Sequence, residues 1–530
     1  MSTLDLDGRL AEIAARPTTR RGVLAGAGGL VAAAALSRLP LDLAYGAPVQ
    51  FSADPFSLGV ASGDPAPRDV VLWTRLAPEP LRADGGMPPK PVEVRWELAK
   101  DPGMRRVVDR GRATAWPSFL HSVHVEVDGL EPGREYFYRF TSGAAASRVG
   151  RTRTAPVGHV NDLAFAFVTC QKWEEGFYPS YRAIAREDVD FVAHLGDYTY
   201  EYGIANGWGP RNPQLPSEFA AETTTLEQYR LRHALYKTDP DLQTAHATHP
   251  FAVVWDDHEV VNDYAGRDLT LLARRANAYR AFYEHLPLRS ESIPNGPDMP
   301  IYRRITWGDL AELSFLDTRQ YRDEPPCGYG EQQRCAATLD PRVTMTGPEQ
   351  ERWLLRGLDR SHARWNVIAQ QVLMAQLDHD GDAGDLFWND SWDGYVGARN
   401  RIIQHLHSRK IDNPVVVTGD WHSTFANDIK LDFDDPRSKT VATEFVTPSI
   451  SSNGDIPVYG PYYGPMIKFN PHIKFFDGDR RGSMTARVDR REMNVDWRVA
   501  DVVARPDARV RTLARFAVEA GRPGVAEIQT

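Results

Sequence analysis

Cysteine is nearly absent from this chain, three residues in 530, so at most one intrachain disulfide can form. Long apolar runs are missing as well, and no stretch reaches the roughly 20 residues of a membrane span. There is no sustained run of Lys or Arg, and 62 basic against 71 acidic residues give a formal net charge of −9. That balance argues against nucleic-acid-specific binding. No Gly-x-Ser-x-Gly turn is visible, which speaks against an acyl hydrolase. Internal repeats and long low-complexity segments are also lacking. At this length two or more domains are expected.

What the chain does have begins with an export signal. "TTRRGVLAGAGGLVAAAALSR" sets Arg20 and Arg21 before an uncharged run from Gly22 to Leu36, and "AYGAPVQ" offers Ala44 and Gly46 for cleavage. A positive region, a mild apolar region and a small-residue site make a signal peptide. Thr-Arg-Arg-x-x-Leu is of the twin-arginine type. Residues 1–46 are therefore read as a signal for the twin-arginine translocase. The mature chain is expected to be secreted, periplasmic or cell-wall associated. Such a compartment suits a Cys327–Cys335 disulfide within "PPCGYGEQQRCAAT". Cys170 then stands alone, as a buried inert thiol, a reactive group or a metal ligand.

Residues 47–157 read as a small antiparallel β-sandwich. "VEVRWEL" and "VHVEV" alternate apolar and polar residues. "LEPGREYFYRF" has Leu130, Pro132 and Tyr136 at the spacing of a tyrosine corner. Residues 158–530 change texture, with apolar runs such as "LAFAFVTC", "VDFVAHLGD", "FAVVWDDHE" and "PVVVTGDWHS" alternating with helical patterns. This is an α/β domain with a substantially parallel core sheet. "TGPEQERWLLRGL" is expected to start a helix with a capping box, Thr346 to Glu349. "PDARVRTLARFAVEAGRPGV" is expected to form a C-terminal amphipathic helix ending near Gly521 or Gly524.

The polar residues fall where the strands end: Thr169-Cys170, Gly196-Asp197, Asp256-Asp257-His258, Asp317-Thr318-Arg319, Gln370-Gln371 and Gly419-Asp420-Trp421-His422. Ligands of open α/β sheets bind beyond the carboxyl ends of strands. One Asp after a strand is usually a turn or cap residue, but this whole set reads as a metal site. In "HLGDYTYEY", Asp197 and Tyr200 can turn back to one point. Cys170, Tyr200 and His422 are poor calcium ligands and suit a transition metal, with ferric iron best able to deprotonate a phenol. Asp257 and Asp420, which Asn262 or Asp263 could join, suit a hard cation, Ca²⁺ ahead of Mg²⁺ or Mn²⁺. His258 is the candidate to orient substrate or protonate a leaving oxygen. Arg319 could fork onto an oxyanion or pair with Asp317 or a core carboxylate.

These motifs resemble the PhoD-type alkaline phosphatases and phosphodiesterases, a family related to the purple acid phosphatases. The resemblance runs through most of the mature chain, in "FSLGVASGDP", "VVLWTRL", "HLGDYTYEY", "WDDHEVVND", "LDTRQYR", "VVVTGDWHS" and "NPHIKFFDGDRRG". It implies a twin-arginine signal, a sandwich domain and a metallophosphatase domain of mixed β-sheets flanked by helices. It also implies Fe³⁺ held by Cys170, Asp197 and Tyr200, with Ca²⁺ beside it. The wider purple-acid-phosphatase pattern is departed from at three positions: Cys170 stands for an Asp, Asp257 for an Asn and Asp420 for a His. The last two changes put carboxylates where neutral ligands stood, in keeping with calcium. That family's Val-x-x-His ligand has no counterpart, and Gln370 or Gln371 occupies the region.

The expected function is hydrolysis of a small phosphate mono- or diester by in-line attack of a metal-held hydroxide. Two other readings compete. His472-x-Lys474-x-x-x-x-Asp479 matches one copy of a phospholipase D motif whose His is the nucleophile. A non-catalytic, metal-stabilised binding protein is the third.

Overall fold

Two mixed sheets meet at the carboxyl ends of their central strands. The computed structural model describes residues 49–381 and 385–530, and the expected signal segment lies outside them. Seven strands lead to the site: β1 (Asp162–Val168), β2 (Phe191–Leu195), β3 (Pro250–Val254), β4 (Ala311–Phe315), β5 (Trp365–Ala369), β6 (Pro414–Thr418) and β7 (Thr440–Val446). They divide between two mixed sheets, as the family resemblance implies, and do not form a single core sheet. Strands β1, β2 and β3 are parallel neighbours in a ten-stranded sheet, and β4, β5, β6 and β7 in a seven-stranded one. Every residue of β2, β3, β5 and β6 is buried. Strands covered on both faces read as continuous apolar runs, so their pattern carries no sign of which sheet they join.

Packing explains that burial. Phe165, Phe167, Val192 and Val254 of the first sheet share a core with Leu313, Val367, Val417 and Phe445 of the second. The outer face of the second sheet, with Ile368, Val416 and Val446, packs on Leu354, Ile402 and Leu406 of the helices Gly347–Arg360 and Val396–Ser408. A seam ties the sheets together just beyond β1 and β7. Thr169 and Ser449 form an isolated parallel bridge, Ile450 N–H donates to the Thr169 carbonyl at 3.0 Å, and Thr447 Oγ1 to that of Phe167 at 3.2 Å.

The N-terminal region is two-layered, as expected, around Leu72, Val94, Leu98, Val125, Tyr138 and Phe140. Tyr136 Oη accepts the Glu131 N–H at 3.0 Å, closing the tyrosine corner. One layer is not self-contained, however: Val60–Gly63 pairs in parallel with β3, so this layer extends the ten-stranded sheet.

Two local expectations are corrected. The C-terminal segment is not a helix but a hairpin, Val510–Glu519 and Arg522–Gln529, added to the strand Glu492–Ala500. Ala514, Phe516 and Val518 alternate inward with Arg515 between them, and Gly521 at φ 84° makes the turn that was read as a helix end. A neighbouring edge strand offers the backbone partners that decide the matter. The helix Gly347–Arg360 forms, but Thr346 makes no side-chain cap; Gly347 N–H bonds Thr344 Oγ1 at 2.9 Å instead.

Cys327 and Cys335 are joined, with Cα atoms 6.0 Å apart, and Cys170 is buried and free. Denatured, unreduced protein should therefore titrate with one thiol per chain and reduced protein with three. Three thiols before reduction contradict the pairing.

Candidate metal centre

The strand ends turn sharply, and the backbone shows it. Cys170, Asp197, Asp420 and His422 all take left-handed conformations, with φ of 55°, 57°, 59° and 50°. Each such non-glycine residue costs about 1–3 kcal/mol and persists only where its surroundings dictate it. Here the dictation is by hydrogen bonds. Cys170 N–H donates to the Gly196 carbonyl at 3.2 Å, and the Cys170 carbonyl accepts Ser452 Oγ at 2.8 Å. Gly196, at φ 110°, allows β2 to pass β3, because a Cβ there would lie 2.4 Å from Asp256 Cβ. Glu259 braces both turns: it accepts the N–H groups of Asp197 (3.2 Å), Tyr198 (2.6 Å) and Asp256 (2.8 Å).

The side chains so presented form three overlapping clusters, each with ligand atoms within 4.8 Å of one another. Cys170, Asp197 and His422 make the first, Asp197, Asp257 and His258 the second, and Asp256, Asp257 and Asp420 the third. Asp197 and Asp257 are the shared corners. Tyr200 Oη joins the first, donating to Asp197 Oδ2 at 2.7 Å and lying 3.1 Å from His422 Nε2. All six expected ligands, Cys170, Asp197, Tyr200, Asp257, Asp420 and His422, are thus brought together.

His422 is held by Asn453, whose Oδ1 accepts from Nδ1 and leaves Nε2 toward Tyr200. Burial, with Arg481 nearby, pushes its pKa down to about 3, so the ring is neutral. Burial raises Cys170, reinforced by Asp197 and Asp420, and burial raises Asp197 and Asp420 themselves. Burial thus shifts all three toward their protonated forms. His258 Nδ1 pairs with Glu201 Oε2 at 2.8 Å, and its ring lies 4.2 Å from that of Tyr200. Burial opposes its charge, but Asp257, Asp197 and Glu201 outweigh that and raise its pKa.

Of the two expectations for Arg319, the structure shows the pairing with core carboxylates. Arg319 is fully buried, bonded to Asp256 and to Asp390 (2.9 Å), with Nη2 3.6 Å from Asp257 Oδ1 and 3.8 Å from Asp420 Oδ1. It stands behind the carboxylates as a positioning residue. Gln370 and Gln371 are not ligands either: Gln370 bonds Val372 O, Thr418 Oγ1 and Trp392 Nε1, and Gln371 ties Leu316 O to Thr318. Asn262 is exposed and bonds Tyr202, whereas the N–H of Asp263 donates to Asp257 Oδ2 at 2.5 Å.

A converging set of carboxylates, thiol, phenol and imidazole at the edge of two packed sheets can be set beside known proteins. The family model for the PhoD-like phosphatase matches residues 165–497, and that for its N-terminal domain matches residues 43–156. The chain belongs to the PhoD-like phosphatase family. It is 44% identical over 489 residues to alkaline phosphatase D of Bacillus subtilis (strain 168), across 91% of this chain and 83% of that protein. A solved structure of PhoD superposes with a TM-score of 0.86 at 44% identity, covering 91% of this chain and 93% of the other.

Asp256 belongs to the strand-end set but had no ligand role of its own, and two further contributors escaped the sequence reading. Asp390 joins Arg319 and Arg322 from a loop whose "NDSWDGY" reads as an ordinary helix start. Asn453 lies in a polar loop, and only its φ of 68° and its contact with His422 mark it. Residues that orient a ligating His commonly govern affinity about 10–100-fold. Asn453→Ala should weaken metal retention by that factor in competition with a chelator. Unchanged retention would show that His422 needs no such partner.

Proposed function

We propose that the strand-end cluster is the catalytic centre of a metal-dependent phosphoric ester hydrolase. In this reading Cys170, Asp197, Tyr200 and His422 hold Fe³⁺, and Asp257 and Asp420, joined by Asp256, hold Ca²⁺. The reaction class follows from family membership, which also sets aside a non-catalytic binding protein. One observation carries the assignment of ions: the donors segregate. Thiol, phenol and the His422 imidazole gather with Asp197 at one end of the site and Asp256, Asp257 and Asp420 at the other, with His258 between them beside Asp197 and Asp257; a transition metal favours the first set and a hard cation the second. Charge agrees, because Asp197 Oδ1 and Asp256 Oδ2 are buried without a hydrogen-bond partner.

When bound, such ions would neutralise phosphate oxygens and activate water for in-line attack. The chain's own residues do the rest. Asn453 fixes the tautomer of His422. Arg319 and Arg322 hold the Asp256 and Asp390 carboxylates in place. His258, with Nδ1 on Glu201, has Nε2 left to pass a proton to the departing ester oxygen.

Residues of the phospholipase D motif are otherwise engaged. His472 Nε2 bonds the Gln376 carbonyl at 2.7 Å, Lys474 Nζ that of Pro471 at 2.9 Å, and Asp479 accepts the Gly460 N–H at 3.0 Å. Export by the twin-arginine translocase, to a secreted, periplasmic or cell-wall-associated site, is proposed on Thr-Arg-Arg-x-x-Leu and on the Cys327–Cys335 disulfide. Among the described residues no helix is long and apolar enough to cross a membrane.

Turnover of p-nitrophenyl phosphate and bis(p-nitrophenyl) phosphate by metal-loaded protein tests the reading. A chelator should lower it by more than about 100-fold, and His472→Ala should retain chelator-sensitive activity. Chelator-resistant turnover that His472→Ala abolishes would transfer the chemistry to the other motif.

A further inference from the structure

The accessible side of the cluster is not uniform. Asp420 is the carboxylate most open to solvent, its side chain 21% exposed against 4% for Asp257. Next to it, the half-buried Tyr459 lies with its ring 5.9 Å from that of His422. Tyr459 is held from behind: it stacks on Tyr463 at 5.6 Å, and Tyr463 leans on Trp421 at 5.7 Å. The chain leading to it presents Ile456 (66% exposed) and Val458 (39% exposed) to solvent. The opposite side differs in kind. There Tyr202 lies 5.4 Å from His258, its hydroxyl bonded to Asn262 and its ring under Lys172 Nζ at 5.1 Å.

The geometry points to Tyr459, with Ile456 and Val458, as a specificity subsite for the organic arm of the ester whose phosphate sits at the cluster. The inference rests on the hydrolase reading above and adds a substrate class to it: phosphate esters with an aromatic or otherwise apolar alcohol, or diesters whose second arm is apolar. A rigid ring fixed by stacking costs little entropy when a planar group packs on it, and the exposed aliphatic side chains extend the surface on which that group lies. Tyr202 is 39% exposed as well, but Lys172 Nζ lies over its ring and the next aliphatic residue in the chain, Ile204, is buried, so the apolar arm is directed over His422 rather than over His258.

The test is the ratio of kcat/KM for bis(p-nitrophenyl) phosphate to that for glycerol phosphate, on full-length metal-loaded protein. Tyr459→Ala should lower the ratio about 3–10-fold, mostly through KM of the aryl ester. Tyr459→Phe should keep it, and Val458→Ser, at an exposed position that folding does not depend on, should lower it less than Tyr459→Ala. An unchanged ratio in both Tyr459→Ala and Val458→Ser overturns the subsite, even if overall activity falls, since that would mean a structural role toward His422. Wild-type protein that turns over neither ester overturns the hydrolase reading itself, and the subsite with it.

Discussion

Crowding of buried carboxylates at one sheet edge is the constraint on which the rest depends. Asp197, Asp256, Asp257, Asp390 and Asp420 converge there, against two fully buried guanidinium groups, Arg319 and Arg322. Taking an ionised carboxylate out of water costs several kcal/mol after relaxation. The excess has only two remedies, protons or cations. The raised pKa of Asp197 and Asp420 expresses the first and the orphaned oxygens of Asp197 and Asp256 the second. Metal binding then displaces protons, and the affinity of the site is tied to pH.

Holding such a cluster requires a scaffold that does not yield. The seam between β1 and β7 locks the two sheets at the point where the thiol and imidazole emerge, and Glu259 fastens the ends of β2 and β3. Four left-handed residues are tolerated because each lies inside this network. An open sheet edge with flexible loops would relax them and disperse the ligands. The strain and the chemistry therefore share one location.

Much of this was legible in the chain. Strand ends bearing Asp197, Asp257 and His422 announce themselves because apolar runs stop abruptly at polar residues that a mere turn does not need. Sheet membership was not legible, since strands buried on both faces, such as Phe191–Leu195 and Pro414–Thr418, look alike whichever sheet they enter. The C-terminal hairpin was mistaken for a helix because Leu513, Phe516 and Ala517 also fit a helical period; only the waiting edge of Glu492–Ala500 decides. Arg319 was visible as a charge after a strand, but its direction depends on Asp390, some seventy residues away and silent in sequence.

Crystallography of the protein as purified, with diffraction recorded at the iron edge, tests the central claim most directly. The account predicts an iron signal bounded by Cys170 Sγ, Asp197, Tyr200 Oη and His422 Nε2, and a second, iron-free ion among Asp256, Asp257 and Asp420. Density showing no ion in either place, with Tyr200 still hydrogen-bonded directly to Asp197, would contradict it.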